Sequence, residues 1–190
     1  IGRSEDFIIS GTTLLKYAGA EKRVVIPDGI EIVGSASFEG NKTVEEIIIP
    51  DSVMGIQDKA FADTANLRAI TIGSGVFFVS YDMIVWTPKL ETINVSQQNQ
   101  HLYVENGILR ERNSTSIQFY PGGKKDKRFV IPEGVKSMDF NKNAYIEEIY
   151  ISRDVEQINL DYTMSLKKIT VDANNSHFCV VDDVLYNYDK

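Results

Sequence analysis

The 190 residues carry 20 Lys and Arg against 27 Asp and Glu, a formal charge of −7, with 43% apolar and 25% charged residues. That balance fits a folded chain and excludes the basic field of a nucleic-acid or anionic-membrane binder, and no apolar run approaches the roughly 18 residues of a membrane span. One cysteine, Cys179, and two histidines exclude an internal disulfide framework and a cysteine-built zinc site, so neither a metal nor a cofactor is expected.

In chain order, residues 1–23 read as a partial β-hairpin. Leu14-Leu15-Lys16-Tyr17, a glycine and Val25-Ile26-Pro27 parallel Ile117 to Tyr120, Gly122-Gly123 and Val130-Ile131-Pro132 further on. Residues 24–95 repeat with a step of 23: Ile26, Val33, Phe38, Val44 and Ile47 recur as Ile49, Ile56, Phe61, Leu67 and Ile70, then more loosely as Ile72, Val79, Ile84, Leu90 and Ile93. Each turn holds an L-x-x-I-x-I segment whose last apolar pair alternates with period 2, the pattern of a short strand with one buried face. Two further apolar positions follow, then an Ala-Phe pair, intact at Ala60-Phe61. The apolar side chains of one turn cannot offset the entropy of ordering it, so the turns must stack into a solenoid with a shared core.

Residues 96–130 break the period and read as a β-hairpin or meander insertion, with strands at His101–Val104, Ile108–Arg110 and Ser116–Tyr120. Asn106-Gly107 is the turn, because both residue types tolerate positive φ. A second block at 131–171 has a step of 20, from Ile131 to Ile151 to Val171, and lacks the Ala-Phe pair, which predicts a thinner outer side. Residues 172–190 begin another hairpin, truncated, matching the segment from Val95 to Leu109 76 residues earlier. All five segments form one continuous solenoid in this reading, cut from a longer array. Cys179 aligns with Tyr103 at an apolar-side position, where a buried structural thiol is expected.

Ile-Pro-Asp-Gly-Ile at 26–30, Ile-Pro-Asp-Ser-Val at 49–53, Ile-Pro-Glu-Gly-Val at 131–135 and Lys59-Ala60-Phe61 resemble the BspA-like leucine-rich repeats of bacterial surface proteins. Asn106-Gly107-Ile108-Leu109 and Tyr120-Pro121-Gly122-Gly123-Lys124 look like that family's hairpin insertions. The resemblance implies a leucine-rich-repeat solenoid, mostly β with little helix. It further implies secretion to a bacterial cell surface and a non-enzymatic adhesion or protein-binding role. The implied partner is a protein or glycan on a host or neighbouring cell; a structural spacer in a longer surface protein is the alternative, and an enzyme a remote one. Ile1-Gly2-Arg3-Ser4 lacks the basic-then-apolar start of a signal sequence, so export requires a leader outside this sequence.

Two candidate binding surfaces emerge. Stacked strands place Val25, Ile48, Thr71, Asn94, Val130, Tyr150 and Thr170 in one outward column on the concave face, beside Arg23, Glu46, Ala69, Thr92, Arg128, Glu148 and Lys168. The column suits a protein partner, and equally reads as ordinary β-formers on a solvated sheet. In the third turn Phe77, Phe78, Tyr81 and Trp86 replace Met54, Gly55, Asp58 and Asp63. Either the neighbouring hairpin covers this aromatic patch or it contacts a sugar or protein. His101 and His177 recur as repeat equivalents and give no clustered metal ligands. Glu45-Glu46 and Glu147-Glu148 recur likewise, without the cleft of a glycosidase pair. The basic run from Lys124 to Arg128 is read as a solvated loop.

Overall fold

A computed structural model of the chain describes residues 4–115, 118–140 and 142–188. After a single 3-10 turn (Ser4–Asp6), β1 (Phe7–Ser10) and β2 (Thr13–Tyr17) form an antiparallel hairpin. The chain then winds as a β-solenoid of about seven turns, alternating between two sheets. The long-strand sheet takes β3 (Arg23–Val25), β5 (Glu46–Ile49), β7 (Ala69–Ile72) and β9 (Thr92–Val95) in parallel order. The second sheet takes the two-residue strands β4 (Ile32–Val33), β6 (Gly55–Ile56) and β8 (Phe78–Val79), and β2 extends it in parallel.

The step of 23 sets the register: Ile47 pairs with Ile70, and Ile70 with Ile93. Strand alternation buries Val24, Ile47, Ile70 and Ile93, while their neighbours face outward. The second block repeats the scheme at a step of 20. Here β13 (Arg128–Val130), β15 (Glu148–Ile151) and β17 (Lys168–Val171) form the long-strand sheet. Strands β14 (Ser137–Asp139) and β16 (Gln157–Asn159) pair in parallel as the counterparts of β4, β6 and β8, in a separate sheet.

The insertion supplies β10 (Leu102–Glu105), β11 (Ile108–Glu111) and β12 (Gln118–Phe119); Ser116 and Ile117 of the expected third strand lie outside the described residues. Asn106 and Gly107 turn the hairpin with φ of 52° and 80°. All three strands join β14 and β16 in a sheet of their own, in the order β10-β11-β12-β14-β16, which does not pair with β8. A last hairpin joins β18 (Phe178–Val181) to β19 (Val184–Asn187).

One feature departs from expectation: the Cys179 thiol is not buried. On the outer side of the 20-residue turns, which lack the Ala-Phe pair, buried Phe140 and half-buried Leu160 supply the packing. Tyr120, Phe129 and Phe140 pack there with ring centroids 4.9–6.0 Å apart. Cys179 is half-exposed, opposite Tyr186 in the last hairpin, which packs only Phe178 fully against the core.

Buried asparagines close the turns. Asn99 donates to the carbonyls of Gly73 and Val76 (both 2.9 Å) and accepts from the amides of His101 and Leu102 (2.8 and 2.7 Å). Asn175 repeats this set with Ser152, Val155, His177 and Phe178. Asn143 donates to Gly122 and Lys124 carbonyls and accepts from Tyr145 and Ile146 amides. Each satisfies backbone groups that no strand ladder reaches.

Candidate binding face

The long-strand face carries two in-register ladders instead of the single expected column. Val25, Ile48, Thr71 and Asn94 align across β3, β5, β7 and β9; Val130, Tyr150 and Thr170 align across β13, β15 and β17. The break falls between Asn94 and Val130, because β9 and β13 do not pair. The insertion parts the two blocks on both sides, since β8 likewise ends its sheet and pairs with none of β10, β11, β12, β14 or β16. Asn94, Val130 and Thr170 are exposed and the other four half-buried. The Tyr150 hydroxyl donates to Asp172 across one turn at 2.9 Å, which orients the ring and raises its pKa.

Along one edge of this face runs a ladder of alternating charge. Lys22 pairs with Glu45 (2.8 Å), and Glu91 pairs with Arg68 and Lys125 (3.5 and 3.1 Å). In the second block Glu147 sits between Lys127 (2.6 Å) and Lys167 (2.8 Å). Hydrogen bonds from those two ammonium groups hold the Glu147 carboxyl down to about 2. Arg23–Glu46 continues the pattern one column inward at 2.9 Å. These are exposed pairs, each worth little to stability, but together they leave the face mixed in sign.

The four aromatics of the third turn do not form one patch. Phe77 and Phe78 are half-exposed on the second sheet, where Phe77 lies 5.8 Å from His101. Trp86 sits at a corner, with φ of 62°, in line with Gly40, Asp63, Lys142 and Tyr162, which also have positive φ. Its ring lies under the Lys142 ammonium and 6.3 Å from Tyr162. All four remain at least half exposed, Phe77 and Phe78 at 50% and 52%, Trp86 at 51% and Tyr81 at 80%, with Phe77 alone of them beside a ring of the insertion, that of His101. Sequence reasoning missed Lys142 and Tyr162; the repeat alignment of Trp86 with Tyr162 was the available signal.

Among the described residues no group of three or more His, Cys, Asp or Glu could hold a metal ion, and no helix is long and apolar enough to cross a membrane. Two contiguous grooves lie beside β9, lined by its residues and by β10.

Six copies of the BspA-type leucine-rich repeat match residues 14–129, well over half of the chain. The chain belongs to the BspA-type leucine-rich repeat family. Its fold is similar to that of a leucine rich cell surface protein from Faecalibacterium prausnitzii A2-165, at 24% identity and a TM-score of 0.68 over 78% of this chain. It is also similar to the pneumococcal vaccine antigen PcpA, at 19% identity and a TM-score of 0.58 over 80% of this chain. The chain spans 41% of the first protein and 51% of the second. No curated protein matches it significantly. In leucine-rich repeats one strand of each turn lies beside that of the next along one face, as both ladders do in this BspA-type chain. Such repeats commonly bind proteins on extended faces of this kind.

Proposed function

We propose that this chain is a non-enzymatic interaction module at a bacterial cell surface, and that its concave face binds a protein or glycan of a host or neighbouring cell. The observation that carries the reading is the pair of in-register ladders. Val130 is 49% exposed on a β-face where the core does not need it, with Tyr150 beside it held by Asp172. Apolar, hydroxyl and amide side chains thus repeat along one surface, a mixture suited to protein or sugar contact. The family match supports the class, and the surface proteins among the structural neighbours support the location. Arrays of extracellular-matrix proteins and of glycans, probed with the parent chain and a Val130→Glu, Tyr150→Ala variant, test it. Specific binding that the variant loses while remaining folded is expected. No specific binding by the parent would indicate a spacer instead.

A further inference from the structure

We propose, building on that reading, that the groove beside β9 accepts an extended acidic peptide segment of the partner as an added strand. Strand β9 is the last of its sheet. The Thr92 amide donates to the Arg68 carbonyl and the Ser96 amide to that of Ile72, so the even-numbered peptide groups face β7. Alternation along the strand then turns the N–H and C=O groups of Ile93 and Val95 to the opposite side. On that side lies the groove, in two contiguous parts of about 410 and 390 Å³ that share Ile93, Asn94 and Val104. Its shape follows from the hairpin. At the corner, the Gly123 amide still bonds the Leu90 carbonyl at 2.8 Å and Lys125 still pairs with Glu91. Beyond the corner, β9 and β13 are parted, leaving a strand edge facing a space.

A row of main-chain donors and acceptors is satisfied by another main chain, which makes an extended peptide the matching occupant. Charge selects among peptides. Of the three cations lining the groove, Lys124 is paired with Asp126 and Lys125 with Glu91, which leaves the Arg112 guanidinium to meet an incoming carboxylate, within a chain of net charge −7. The Arg112 guanidinium lies 5.1 Å from the centre of the Tyr103 ring, fixed at the wall of the groove.

The same groove is built a second time. Residues Ile169–Ala173 of β17 and its exit, with Phe178, Cys179, Val180 and Tyr188, line a cavity of about 340 Å³ at positions 76 residues on. The Asp172 amide bonds the Ile151 carbonyl there, as Ser96 bonds Ile72. Tyr188 stands in place of Arg112 and Cys179 in place of Tyr103, so this copy lacks the cation and has no preference for acidic side chains.

Panning the whole chain against a random twelve-residue peptide library at physiological salt tests the proposal. The expected result is enrichment of peptides that alternate β-formers with Asp or Glu, and slowed amide exchange at Ile93 and Val95 when a selected peptide binds. Val104→Trp, which fills the groove without touching the strand edge, should weaken that peptide at least tenfold, and Arg112→Glu should do the same. Selected peptides that bind Val104→Trp like the parent but fail on Tyr150→Ala would overturn the groove and leave the concave-face reading standing. No enrichment, or binding without protection of Ile93 and Val95, would also overturn it.

Discussion

Asn99 holds four backbone groups, two from its own turn and two from the turn before, and none of them has a ladder partner to fall back on. Replacing it by Ala buries those groups unsatisfied, so Asn99→Ala should cost roughly 3–5 kcal/mol, read as a lower urea midpoint. Asn41 makes a comparable set of bonds at a half-buried site, where water can substitute, so Asn41→Ala should cost less, about 1 kcal/mol. Glu147 gives the matching test of charge. Its folded pKa of about 2 lies below the ordinary carboxylate value of 4.5, so its contribution to stability is complete above about pH 4.5 and lost as pH falls toward 2. A Glu147→Gln variant should therefore show a shallower loss of stability between those pH values than the parent, and added salt should narrow the difference.

At the scale of elements, stacking distance sets what each turn tolerates. A methyl group on Gly75 would stand 2.1 Å from the Asp51 carbonyl oxygen of the preceding turn, a main-chain atom that cannot swing aside. Gly75→Ala should force the second and third turns apart and cost about 1–3 kcal/mol by thermal or urea unfolding. The concave strands themselves were legible in sequence, because an apolar residue recurring at 23 or 20 residues must sit on the next strand in register, as Ile47 and Ile70 do. The second sheet was not, since a strand as short as Gly55–Ile56 offers one apolar residue and no alternation to read. The aromatic string of the third turn misled for a related reason. A solenoid turn changes direction between Phe78 and Trp86, so neighbours in sequence part company, while Trp86 meets Tyr162 from a distant turn. The chain has one tryptophan, so this contact has its own reporter. Lys142→Ala should change Trp86 fluorescence with the fold intact, because it removes a cation from the indole face.

Over the whole molecule, the two blocks share one construction but not one continuous long-strand sheet. Each turn is stabilised by its neighbours, and the hairpin that interrupts the repeat parts the strands on both sides. The long-strand side is left as a face of four strands, a gap and a face of three. The family of the chain could be read from its Ile-Pro-Asp repeats, and the alignment of its outward columns within each block from its periodicity. The gap could not, because periodicity does not say whether the strands on either side of an insertion still pair. The ladders on either side of the gap are proposed as a binding face and not merely a solvated sheet. Binding of the parent chain to arrayed matrix proteins and glycans, compared with Val130→Glu, Tyr150→Ala at matched thermal stability, separates the two. A specific partner whose binding falls at least tenfold in the variant is expected; equal binding by both chains, or none by the parent, would leave only the solvated sheet.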